Sequence, residues 1–301
     1  MTRILYMSDL HLEMERWRLS IPGWTDFLAR HRDERKHPSR DARKHPMRGA
    51  GKHPMRGPLL MGLQNIDLIV LAGDIHVGLR GIIYAEQLAA YFDAPVVYVA
   101  GNHEYYHQHI DLLEPALRSA ATHSGGRVTF LDNDVATFEL GGERLHVAGC
   151  TLWTDFRLHG GQDEAMDFAA RHMNDYRLIR RVTRFFTPAH ALERHERSRL
   201  WLHDNLARLR REEPGAKIIA VTHHAPHESV LGRRTGRIAP SYASHLLPDF
   251  YAAPPDLWVH GHTHYRHDSM IEGIRVVSAP RGYVSHEGAA ALEFQPGVVE
   301  L

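Results

Sequence analysis

Short apolar runs that stop abruptly at a polar residue set the rhythm of this chain. Residues 4–7 (ILYM), 66–71 (IDLIVL), 95–99 (PVVYV), 218–221 (IIAV) and 257–260 (LWVH) are too short for helices and nearly continuous in their apolar content. That pattern predicts strands covered on both faces. Between the early runs the spacing turns helical. Residues 82–92 read as one helix and 110–121 as a second, with Leu112, Leu113 and Leu117 on one face. Residues 128–131, 136–140 and 145–147 read as successive strands, the last two joined by a hairpin turn at Gly141-Gly142. The polar stretch 160–185 reads as helical. Thr187 and Pro188 then supply a cap and a first helical position for a core-packing stripe through Trp201, Leu202, Leu206 and Leu209, which Pro214-Gly215 ends. Residues 275–278 and 290–294 complete the expected strands. Helices between the early strands and direct pairing later predict an α/β chain, with 1–301 a single domain.

Where the runs end matters more than where they lie. They lead into Ser8-Asp9-Leu10-His11, Gly73-Asp74-Ile75-His76, Gly101-Asn102-His103-Glu104, Thr222-His223-His224 and His260-Gly261-His262-Thr263-His264. Five strands thus stop at Asp, Asn or His, and in open α/β sheets the carboxyl ends of strands are where ligands bind. Taken singly, each residue has an ordinary explanation. Asp9 and Asp74 suit turns or helix caps. Asn102 suits a left-handed turn after Gly101, and His223 suits a hydrogen-bonded core. Seven separate turns would not generate one ordered set of oxygen and imidazole donors. Carboxylate, amide and imidazole groups without thiolate suit manganese, iron, zinc or nickel. Seven ligands exceed one tetrahedral zinc site. They suit two ions sharing a carboxylate, a pair that clamps both oxygens of a phosphoryl displacement.

Composition adds limits. The charge balances, 36 basic against 36 acidic residues, which gives no global pull toward nucleic acid or an anionic membrane. Cys150 is the single cysteine, which excludes an intrachain disulfide framework and fits a reducing, cytoplasmic setting. No apolar run approaches the roughly 20 residues of a membrane helix, and no targeting segment is visible. One stretch departs from the rest. Residues 29–58 hold ten Arg or Lys and three acids, with Lys36-His37-Pro38, Lys44-His45-Pro46 and Lys52-His53-Pro54 repeating every eight residues. It reads as a tandem duplication in an exposed loop, with an anion- or metal-binding arm as the alternative.

The blocks SDLHLE, LAGDIH, GNHEYY, THHAPH and HGHTH resemble the five signature blocks of the calcineurin-like metallophosphoesterases, over residues 8–264. Gly149-Cys150-Thr151-Leu152-Trp153-Thr154-Asp155-Phe156 and Met173-Asn174-Asp175-Tyr176 are similar to a bacterial, poorly characterised branch of that superfamily. The resemblance implies a four-layer α/β/β/α sandwich of two mixed sheets flanked by helices, with the dimetal site at the strand ends. It implies that Asp9, His11 and His264 hold one ion, that Asn102, His223 and His262 hold the other, and that Asp74 bridges them. The ions are divalent or mixed di- and trivalent, manganese first among them. A bridging hydroxide would attack the phosphorus of a phosphate mono- or diester, with Asn102 touching a phosphate oxygen and His103 protonating the leaving alkoxide. The phosphoprotein phosphatases of the superfamily read GDxxDRG in the second block. Val77 stands in place of that aspartate and no arginine aligns, so the partner of His103 is open and Arg80, Arg233, Arg234 and Arg281 all remain candidates to grip phosphate.

The expected partner is therefore a small phosphorylated substrate. A nuclease or nucleotide phosphodiesterase using the 29–58 arm is one alternative, and a non-catalytic metal-binding scaffold another. Residues 155–210 are expected to form a helical cover over the site. His76, His224 and His227 flank candidate ligands, Glu104 is expected to orient the turn, and Asp155 to act as a cap.

Overall fold

The computed structural model describes residues 1–14, 63–181 and 184–301, so the 29–58 repeat lies outside the described residues. In chain order the elements are β1 (Arg3–Met7), β2 (Leu68–Ala72), α1 (Arg80–Phe92), β3 (Val96–Val99), α2 (Ile110–Thr122), β4 (Val128–Leu131), β5 (Asp134–Leu140) and β6 (Glu143–Cys150). There follow α3 (Gln162–His172), α4 (Asp175–Leu178), the short strands β7 (Arg180–Arg181) and β8 (Arg184–Phe185), α5 (Pro188–Glu212) and β9 (Lys217–Thr222). The chain ends with β10 (Leu257–Val259), β11 (His267–Ile271), β12 (Ile274–Ser278), α6 (Val284–Glu287), α7 (Ala289–Leu292) and β13 (Gly297–Glu300).

Two mixed sheets carry the molecule. The first runs β13-β1-β2-β3-β4, with β1 to β4 parallel and β13 antiparallel on the edge. The second runs β11-β12-β10-β9-β6-β5, with a parallel centre and an antiparallel strand at each edge. Alternation along each strand explains why the central strands of both sheets are apolar at successive positions. Ile4, Val70, Val97 and Val99 of the first sheet share an inner core with Val147, Ile219, Val221 and Val259 of the second. Their chain neighbours face outward. Leu5, Ile69, Leu71 and Tyr98 meet Ile82 and Leu88 of α1 and Leu113 and Leu117 of α2. On the far side, Ala148, Ile218, Ala220 and Trp258 meet Leu202, Leu206 and Leu209 of α5. The result is the expected order of helix, sheet, sheet, helix.

Local chemistry sets most boundaries where the pattern places them. The Thr187 hydroxyl accepts from the His190 backbone N–H and Pro188 opens α5. Gly141 and Gly142 both take positive φ, 59° and 81°, as the two-residue turn between β5 and β6 requires. Three expectations fail. Residues 290–294 (AALEF) form no strand; they begin inside α7, because Ala and Leu without a β-branched residue favour helix. The closing strand is instead β13, and β11 adds an edge that its polar sequence (HDSMI) concealed. The stretch 160–185 is not one helix: α3 ends before Met173, and a turn of helix and the β7-β8 hairpin follow. Leu112 is 64% exposed, whereas Leu113 and Leu117 are buried. Residues one apart point about 100° apart on a helix, while those four apart share a face.

Among the described residues no helix is long and apolar enough to cross a membrane. Truncating the inner α2 residue should show how much this layer contributes. Leu117→Ala is expected to lower unfolding free energy by about 2–5 kcal/mol, and Leu112→Ala by less than about 0.5 kcal/mol, read from urea denaturation midpoints at constant slope.

Candidate metal centre

The carboxyl ends of β1, β2, β3, β9 and β10 meet at one rim of the sandwich. Asp9 and His11 follow β1, Asp74 follows β2, Asn102 follows β3, His223 follows β9, and His262 and His264 follow β10. The structure brings all seven together, each buried or nearly so. They fall into two groups with ligand atoms close enough for one cation each: Asp9, His11 and His264, and Asp74, His223 and His262. Asn102 joins the second, its Oδ1 3.1 Å from His223 Nε2. The Asp74 carboxylate lies between the groups, with Oδ1 3.4 Å from His223 Nε2 and Oδ2 3.9 Å from His11 Nε2.

The ring nitrogens test whether cations fit. His11 Nε2 lies 3.1 Å from His264 Nε2, and His223 Nε2 lies 3.2 Å from His262 Nδ1. At that distance two ring nitrogens need a hydrogen or a cation between them, or their lone pairs repel. The electrostatics place a proton there. Burial pulls His223 down, but the Asp74 carboxylate outweighs it and raises the ring to about 10. Burial likewise opposes protonation of His264, and its hydrogen bond to Asp9 raises it. Their partners go the other way: burial, helped by His103, lowers His11 to about 4, and burial with His224 and His223 holds His262 well below the usual imidazole range. Each pair thus asks for one positive charge. A metal ion supplies that charge and takes both lone pairs, so the donor set fits one ion per group.

Backbone geometry shows how tightly the rim is built. Asp9, His11, Asp74, His262 and His264 all take positive φ, from 47° to 67°, a conformation that side chains other than glycine adopt at a cost. Gly101 allows the closest approach. A Cβ there would lie 2.1 Å from Asp74 Oδ1 and 2.6 Å from the Asp74 backbone nitrogen. The Glu104 carboxylate, fully buried, accepts from the backbone N–H groups of Asp74 (3.0 Å), Ile75 (2.8 Å) and Gly101 (2.7 Å), and from the Tyr98 hydroxyl (2.6 Å). Burial and the nearby Asp74 raise it to about 7, against those hydrogen bonds. The expected orienting role of Glu104 is visible in these four contacts.

His103 stands beside the centre, its Nε2 4.0 Å from Asp74 Oδ2. Its partner is Glu13, whose Oε1 lies 3.0 Å from Nδ1, and the Tyr283 hydroxyl lies 2.7 Å from Nε2. Burial opposes a charged His103, but Asp74 and Glu13 raise it. Burial would raise Glu13 too, yet His103 and His11 draw it down to about 2. Asn102 Nδ2 donates to Asp175 Oδ1 at 2.8 Å, which turns the amide oxygen toward His223. Three residues at the site were therefore not singled out in the sequence. Glu13 and Asp175 sat unremarked inside the SDLHLE and MNDY blocks, and nothing in the sequence marks Tyr283.

The other candidates separate. Arg281 is buried and donates to the carbonyls of Leu10 (3.0 Å) and Ala291 (3.3 Å). Arg234 Nη2 lies 3.3 Å from His264 Nδ1, and its guanidinium sits over the Tyr242 ring at 4.9 Å. His224 packs inward against Trp153 and His262, His76 keeps to the Val77 carbonyl, and His227 caps the turn at Glu228–Val230. Asp155 accepts from the Arg157 N–H, as a turn residue does. Within 155–210, Asp175 touches the centre, whereas α5 forms the outer helical layer of the second sheet.

Comparison with known proteins agrees with this architecture. The chain is 24% identical over 209 residues to an uncharacterised protein of Acanthamoeba polyphaga mimivirus, covering 64% of this chain and 69% of the relative. The fold superposes on the crystal structure of phosphopantetheinyl hydrolase from Mycobacterium tuberculosis with a TM-score of 0.63 and 14% identity, over 99% of this chain and 95% of the other. The family description "calcineurin-like phosphoesterase" matches residues 2–266, and the chain belongs to that family.

Proposed function

We propose that this chain hydrolyses phosphate mono- or diesters at a centre in which Asp9, His11 and His264 hold one metal ion and Asn102, His223 and His262 the other, with Asp74 shared. Metal-dependent phosphoester hydrolysis is the chemistry of the family. The observation that carries the assignment is the Asp74 carboxylate, which presents one oxygen to each group of imidazoles. Oxygen and nitrogen donors without thiolate favour manganese, with iron, zinc or nickel as alternatives. When bound, such a pair of ions lowers the pKa of water and neutralises charge on the transferring phosphoryl group.

The protein's own part is proton transfer and orientation. Glu13 accepts from His103 Nδ1–H and so fixes the ring with Nε2 toward the substrate. Against burial, Asp74 and Glu13 favour the protonated form of His103, and the proton on Nε2 is the one a departing alkoxide takes. The Tyr283 oxygen, 2.7 Å from Nε2, marks where an acceptor oxygen can sit. Asp175 holds Asn102 with its carbonyl inward and its amide committed to a buried carboxylate. The nuclease reading rests on 29–58 and gains no support from the described residues. The scaffold reading sits poorly with a histidine held beside Asp74 by a dedicated carboxylate. A cytoplasmic location remains part of this proposal, on the strength of the buried free thiol of Cys150.

Substitution separates these roles. Asp74→Asn should lower bound metal below two ions per chain, measured by elemental analysis, and abolish turnover of an activated aryl phosphate. His103→Ala should keep both ions and lose about 10²–10⁴-fold in kcat on an alkyl ester, with a smaller loss on 4-nitrophenyl esters that need no acid. Undiminished alkyl ester hydrolysis by His103→Ala would remove its acid role. Asp175→Ala should cost about 10- to 100-fold in metal affinity or kcat. Removing metal with a chelator should lower the melting temperature, and manganese at about 100 times its Kd should restore roughly 2.7 kcal/mol of stability.

A further inference from the structure

Two cavities border the centre, and their walls differ. One, about 1330 Å³, has His103 and Tyr283 at its inner end and Leu79, Leu112, Leu113 and Leu178 along its wall. The other, about 1180 Å³, begins at His264 and is lined by Arg233, Arg234 and Arg266, with Glu228 and Glu287 facing them. His103 lines only the first and His264 only the second.

The first cavity carries exposed apolar surface that the fold does not use. Leu112 is 64% exposed and Leu79 42% exposed, although other leucines of the same layer are fully buried. Apart from histidines, the charged side chains among the described lining residues are Arg80 and Glu13, and Glu13 is engaged by His103. An apolar ligand group would cover those exposed leucines. The position of the general acid then fixes which part of the substrate enters. His103 Nε2 must reach the oxygen that leaves, so the leaving group lies on the His103 side.

Resting on the phosphoesterase reading above, we propose that the His103-side cavity receives the leaving alcohol of a phosphodiester, and that this alcohol is uncharged and largely apolar. The arm that stays on phosphorus extends toward the arginine-lined cavity. Water oxygen forms the new bond to phosphorus as the bond to the alcohol oxygen breaks. That oxygen keeps the electron pair and takes the proton from His103 Nε2.

A diester with two different alkyl arms reads this directly. Methyl and octyl alcohols have nearly equal acidity, so chemistry alone gives no preference for which P–O bond breaks. Methyl octyl phosphate, incubated with the full chain and manganese, should release octanol and methyl phosphate over methanol and octyl phosphate by at least tenfold, measured by mass spectrometry. A fully buried methylene is worth roughly fourfold, so the ratio should climb along an ethyl to octyl series. Leu112→Glu should bring the ratio toward one. Leu200→Glu, equally exposed at 64% but on the outer helical layer, should leave it unchanged. A ratio of one, a preference for releasing methanol, or an unaltered ratio in Leu112→Glu would overturn the proposal. Hydrolysis of methyl 4-nitrophenyl phosphate in the same preparation keeps the two readings apart. If it proceeds and the octyl preference is absent, only the assignment of the cavity fails; if it does not proceed, the phosphoesterase reading fails and this one with it.

Discussion

One buried carboxylate holds the rim together. Glu104 accepts four hydrogen bonds, three from backbone N–H groups in the turns after β2 and β3 and one from Tyr98. Those turns present Asp74 and Asn102. Both run through buried backbone whose N–H groups have no strand to pair with, and an unpaired buried N–H costs roughly 1–3 kcal/mol. Glu104 satisfies three of them at once and locks the two turns to each other. The shared position of Asp74 between the imidazole groups follows from that lock, because the Asp74 backbone nitrogen is one of the bonded atoms. The side chain is held as well: His103 N donates to Asp74 Oδ1 at 2.8 Å.

Around this lock the two sheets contribute unequally. The first supplies Asp9, His11, Asp74 and Asn102, hence all the oxygen donors, and the second supplies only imidazoles. The inner core of valines and isoleucines sets the distance between the sheets, and so between the oxygen and nitrogen donors. Packing of this density tolerates little drift, which is how ligand atoms on separate sheets stay within bonding reach of one point. Asp175, Glu13 and Tyr283 form a further ring that touches Asn102 and His103 without joining the set. The geometry fits the family's general chemistry, and the two cavities that border the centre have unlike walls.

Much of this was legible in the chain. Runs buried on both faces announce themselves by continuous apolar residues, and parallel strands put their carboxyl ends together, so the seven side chains that converge at the rim could be named from five short blocks. The four-layer order followed from the family resemblance and holds. What escaped was of two kinds. Edge elements lack a strong pattern: β11 is polar because both its faces are exposed, and 290–294 is apolar but too short to tell helix from strand. Side-chain partners across long sequence distances leave no trace in spacing. Glu13 and His103 are 90 residues apart and Tyr283 and His103 are 180 apart. The substitution at Val77 revealed that the usual support for His103 was missing, yet only coordinates could show Glu13 in its place.

The donors also come from far apart in the chain. Asp9 Oδ1 accepts from the backbone N–H of His262, 253 residues away, so the rim closes only once both sheets exist and face each other. Early folding intermediates therefore present no preformed pocket, and loops spanning most of the polypeptide must close before the imidazoles can meet their carboxylates. Any cation held at this rim therefore depends on residues that only the assembled pair of sheets brings together.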